Sequence, residues 1–150
     1  MRFYQRLIIK ISILSVLLSY SLAQGSDGRF PIRSFQIAPA KDLKVFNDHL
    51  KAVIVQDARV KSSPLALLKR LTVELDGTIK AYHWCGKAKA GQQICTLREE
   101  NIPNRSVAGV LQKITFKTTQ TGWYAASIQR AWRCQPGKGE SKFYQTKLCD

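Results

Sequence analysis

The chain is expected to fold as an α+β domain: an N-terminal helix, then a mainly antiparallel β-sheet of hairpins, with two disulfides. Three observations lead there. Leu43, Phe46, Leu50 and Val53 recur at helical spacing. From Leu71 onward, β-branched and aromatic runs are broken by turn residues at Asp76-Gly77, Gln120-Thr121-Gly122 and 136–141. Cys85, Cys95, Cys134 and Cys149 all fall in that strand-rich part. A helix followed by hairpins is the order of an α+β fold with an antiparallel sheet.

Residues 1–23 are set aside first. Arg2, Arg6 and Lys10 precede a short apolar run at 11–22, and Ser21-Leu22-Ala23 puts small residues at −3 and −1. This pattern predicts a signal peptide cleaved after Ala23, with retention as an anchor as the alternative. The run is short for a membrane span. Residues 24–150 then form a single domain, secreted or periplasmic, with no integral membrane segment.

Within that domain, 29–38 is extended in character, and Pro31 suits an edge strand. Residues 39–57 carry the amphipathic helix. After a polar link, Ser63-Pro64 reads as an N-cap followed by proline in the first turn, opening a short helix through Arg70 that buries Leu65 and Leu68. The pair Asp76-Gly77 predicts a hairpin between 71–75 and 78–85. A three-residue loop matches Val73 with Ile79 and makes Gly77 the bulge residue. His83 and Cys85 then share the buried face. A lysine-bearing loop follows at 86–94, then a short strand and turn at 96–101. Residues 103–114 place Val107, Val110, Leu111 and Ile114 at helical spacing, weakened by Gly109. Residues 114–119 alternate as a strand. A long strand at 123–134 puts Tyr124, Ala126, Ile128 and Trp132 on one side, and 142–149 is the last strand.

Four cysteines in an exported chain imply two disulfides. Three pairings are possible. The expected one joins sequence neighbours, Cys85–Cys95 and Cys134–Cys149, because short loops close most readily. Neither a CxxC nor an HxxxH spacing occurs, so no metal is expected, and no cofactor motif is present.

The chain holds 24 Lys and Arg against 10 Asp and Glu, a net charge of +14. Three of the basic residues precede Ala23, which leaves +11 on residues 24–150. An anionic partner follows: nucleic acid, lipopolysaccharide or an acidic glycan. Lys113, Lys117, Arg130, Arg133, Lys138, Lys142 and Lys147 are the candidate polyanion-binding residues. They are interleaved with Phe116, Trp123, Tyr124, Trp132, Phe143 and Tyr144, and cations with stacking rings suit a nucleic-acid surface. The bland reading is a solvated sheet face over an aromatic core. His49 and His83 allow a ribonuclease-like alternative by acid–base catalysis. No GxSxG or other nucleophile signature occurs, so no enzyme activity is expected. The expected function is therefore a small exported basic binding module with an anionic partner.

Two local resemblances add alternatives. Trp132, Cys134, Phe143 and Cys149 occupy the places of the C-terminal disulfide-loop residues of type IV pilins, which this end of the chain resembles over about 20 residues. That resemblance implies a pilus-associated, minor pilin-like component. The N-terminus carries no pilin Gly-Phe cleavage site. The spacing of Cys85 and Cys95, with Val107-Ala108-Gly109, is similar to cystatins and implies a protease-inhibitor loop at the tripeptide. Here the tripeptide follows the cysteine pair, where the family has it before.

Overall fold

The structure, a computed structural model, describes residues 32–150 apart from Glu74 and Asp76. The expected signal segment at 1–23 lies outside the described residues. In chain order the elements are β1 (Gln36–Ile37), α1 (Ala40–Gln56), a 3₁₀ turn (Ala58–Ser62), α2 (Pro64–Leu71), β2 (Lys80–Cys85), β3 (Gln92–Glu100), β4 (Val107–Thr119) and β5 (Gly122–Cys134). The strands form an antiparallel sheet in the order β1-β5-β4-β3-β2, so β2 to β5 are a meander. The fold is α+β.

The helices form where the sequence signals them. The Pro39 carbonyl accepts the first turn's bonds from Asp42 and Leu43. Asp42 stands in that turn, where the helix dipole favours a carboxylate. Ser63 caps α2 by accepting from the Ala66 N–H, with Pro64 in the first turn. Both helices press one face of the sheet. Leu50, Leu67 and Leu68 meet Cys95, Leu97, Ile114, Phe116, Ala125 and Ile128 in the main core. Each fully buried Leu, Ile or Phe among them contributes about 1.5–3 kcal/mol. In α2 the buried pair is Leu67 and Leu68, while Leu65 is only half-buried.

Asn47 solves a problem at the edge of β5, which pairs with β1 only at Gln129 and Arg130. The Asn47 amide bonds the Ala125 backbone twice: Nδ2 donates to its carbonyl at 2.9 Å, and Oδ1 accepts from its N–H at 2.8 Å. A side chain thus stands in for a neighbouring strand. Asn47→Ala strands both backbone groups beneath α1 and is expected to cost about 1–3 kcal/mol. Urea unfolding checks this, and a loss below about 0.5 kcal/mol would mean that water replaces the amide at little cost.

Both disulfides join sequence neighbours, Cys85–Cys95 and Cys134–Cys149. The first links directly opposed residues of β2 and β3. The second ties down residues 135–150, which return along β5 without becoming a regular strand. Trp132 and Gln145 exchange two backbone bonds, and Tyr144 pairs with Ile32 in an isolated bridge.

Four expectations are corrected. The first strand of the expected hairpin, at 71–75, does not form, because Leu71 extends the apolar stripe of α2 and Thr72 ties off its last turn through bonds to Leu68 and Lys69; Asp76 itself lies outside the described residues. Val73 is exposed in the turn that follows. Gly77 therefore joins a helix to a strand. Residues 107–114 are not helical but open β4. Val110 and Leu111 point to opposite faces, and both faces are covered at that level, which hides the period of two and imitates a helix. The last strand at 142–149 is replaced by the irregular return segment. Finally, a bulge leaves Ala126 unpaired, so Tyr124 faces away from Ile128 and Trp132.

Candidate anion-binding face

Side chains alternate across a strand, so the register sorts the sheet into two faces. The helices cover one. The other has two halves. Its lower half is built by the rows Tyr82–Arg98–Leu111–Ala131 and Lys80–Glu100–Gly109–Arg133. Leu111, Ala131 and Tyr144 form a second small core there, flanked by Phe35 and Trp84. Tyr144 reaches across Gly109 to donate its hydroxyl hydrogen to Glu100 Oε1. Glu100 also accepts from Arg133 Nη2 at 2.5 Å and lies 3.8 Å from Arg98 Nε. The Arg98 guanidinium stacks on Tyr82. Burial and the Glu100 carboxylate push the Tyr144 phenol far above its ordinary value, so it remains a donor. This network holds the return segment down and closes the lower half.

The upper half stays open. Its rows are Gln92–Lys117–Tyr124, Ile94–Thr115–Ser127 and Thr96–Lys113–Gln129–Ile37. Ile94 is 40% and Tyr124 39% exposed. Thr96, Lys113, Thr115, Ser127 and Gln129 are partly exposed. The loop 86–91 and the β4–β5 turn meet at the rim, where the Thr118 N–H donates to Gly91. Lys87 and Lys89 are exposed on that loop. Lys61 and Ser62 close against hairpin residues 118–123 around a shallow cleft of about 260 Å³.

No described carboxylate lies in these rows. Asp42 binds Arg130, Asp48 binds Lys44 and Lys51, and Asp57 binds Arg59. Glu140 lies 3.8 Å from Arg33. Glu99 sits on the helix face, where burial raises its carboxyl against the opposing pull of Arg130 and Gln112. Among the described residues, none of Lys61, Lys87, Lys89, Lys113 and Lys117 makes an ion pair.

The seven candidate basic residues are thereby separated. Lys113 and Lys117 share the open rows. Arg130 lies on the helix face, with Nη1 donating to Asp42 at 2.7 Å and Nε to Gln112. Arg133 belongs to the Glu100 network. Lys138, Lys142 and Lys147 follow β5, in the turn and return segment at the opposite end of the sheet from the 86–91 loop. Lys87 and Lys89 on the adjoining loop lie at the rim of the open face, while Lys61 sits on the helix side of the β4–β5 turn. Only the loop pair was visible as charge in the sequence, with no sign that it adjoins Lys117.

The histidines do not meet at the cleft. His49 is exposed on α1. His83 is half-buried, its Nε2 2.7 Å from Thr72 Oγ1, and burial and then Lys69 hold its imidazolium below the ordinary value. Val107-Ala108-Gly109 opens β4 rather than forming an exposed loop, and Ala108 and Gly109 are buried. Among the described residues no helix is long and apolar enough to cross a membrane. No protein-family model, curated protein or solved structure matches the chain.

Proposed function

We propose that the protein is a small exported binding module that takes a polyanion on the upper half of its uncovered sheet face and the adjoining hairpin rim. The observation that carries this reading is the charge sorting. The described carboxylates are matched with basic side chains or lie outside the three open rows, while Lys113 and Lys117 stand in those rows without one. Lys87 and Lys89 extend the positive field along the rim, and low local counter-charge concentrates it. The two disulfides suit an oxidising compartment.

Binding of heparin or DNA is expected to fall by about a hundredfold or more between roughly 50 and 200 mM salt, by release of condensed counterions. Lys113→Gln with Lys117→Gln should reduce the salt slope by about two units in the logarithmic plot. Exchanging Lys138, Lys142 and Lys147 for Gln should change it less, since they sit at the other end of the sheet. Equal effects of the two sets would remove the open face as the site. Absence of binding to either polymer at the lower salt would overturn the reading and leave the charge as a solubility feature.

A further inference from the structure

We infer that the polyanion held on this face is single-stranded nucleic acid, an inference that rests on the reading just given. Shape is the first argument. The upper half spans β3, β4 and β5, with strands about 4.8 Å apart, so it is a low, twisted platform. Reading a duplex needs an element that enters a groove, about 12 Å wide on the major side. Among the described residues both helices pack on the opposite face of the sheet, and none projects from this one. A platform instead suits a strand whose bases are unstacked and free to lie flat.

Chemistry is the second argument. Tyr124 stands directly opposite Lys117 on the neighbouring strand. Side chains so paired lie about 5 Å apart, which sets a stacking ring beside a cation. A base on the ring and its phosphate on the ammonium is the combination by which single strands are held without sequence readout. Ile94, one row further on, adds an apolar ledge. Lys113 lies four residues along β4 from Lys117, about 13 Å away, with Thr115 between them. That interval accommodates more than one nucleotide. Thr96, Ser127, Gln92 and Gln129 surround the lysines with the hydroxyl and amide donors that phosphate and sugar oxygens accept. A lipid surface fits less well, because membrane-bound faces bury a broad apolar stripe and these rows are mostly polar.

The test compares three probes by fluorescence anisotropy: a labelled oligothymidylate of about 15 nucleotides, a duplex of the same length and a heparin fragment of similar charge. The single strand is expected to bind at least about tenfold tighter than the duplex at roughly 50 mM salt, and Tyr124→Ala to lower single-strand affinity at least about fivefold with heparin unchanged. Tyr124 is exposed, so its removal leaves the fold intact, and an unchanged unfolding midpoint verifies that. Equal affinity for all three probes, or an equal loss on all three in Tyr124→Ala, overturns the single-strand inference and leaves the polyanion reading standing. Binding to none of them overturns both.

Discussion

Glu100→Ala is expected to destabilise the protein by about 3–5 kcal/mol. Glu100 is only 8% exposed, and so is Arg98 beside it. The carboxylate is the shared acceptor of the lower half: Arg133 and Tyr144 both bond it, and Arg98 lies within ion-pair distance. Its removal takes this carboxylate away from two guanidinium groups in a poorly solvated place, and the phenol loses its bond to it. Breaking a buried ion pair by removing one partner costs much more than the intact network gains on balance. Glu100→Gln separates charge from shape. It keeps the volume but presents an amide to two cations, so it should recover little of the loss. Urea midpoints at an unchanged m-value give the comparison. A loss below about 1 kcal/mol for the alanine variant would mean that water enters and solvates the arginines. Full recovery in the glutamine variant would mean that the network holds by hydrogen bonding rather than charge.

The same residues explain what was legible in the sequence and what was not. The helices were legible because their signals are local: an apolar stripe from Leu43 to Val53, and Ser63-Pro64 at the second start. The disulfide pairing was legible because each bond closes a short loop. The strand at 114–119 was legible by its alternation, but the first part of β4, 107–113, was hidden where Val110 and Leu111 are covered on opposite faces. Asp76-Gly77 misled because α2 runs on to Leu71, a packing preference that local turn chemistry cannot register. Charge was the least legible feature. Arg130 and Arg133 read as members of one basic cluster, yet their carboxylates lie 88 and 33 positions away in the chain. Only the register shows that Arg133 shares a row with Glu100 while Lys113 stands in a row without a carboxylate. Lys87 and Lys89 are brought near Lys117 by the contact of their loop with the β4–β5 turn, which composition cannot supply.

Gly109→Ala is expected to cost about 2–4 kcal/mol, a large effect for one methyl group. In the sequence Gly109 only weakens a helical pattern. In the sheet it is the gap through which Tyr144 reaches Glu100. A Cβ at this position would lie 2.7 Å from Glu100 Oε2, 2.8 Å from Tyr144 Oη and 3.1 Å from the Glu99 carbonyl. The two closest neighbours are side-chain ends held in place by the Glu100 network, and the third is a backbone carbonyl. The methyl must therefore push Tyr144 out of the second core or break its bond to Glu100. Tyr144→Phe identifies the mechanism. In the wild-type background it removes a buried hydrogen bond and should destabilise. In Gly109→Ala it also removes the atom that the methyl strikes, so its cost should be smaller there by at least about 0.5 kcal/mol. Strict additivity of the two changes would show that the alanine does not act through Tyr144. A Gly109→Ala variant as stable as the parent would show that the return segment can shift without loss.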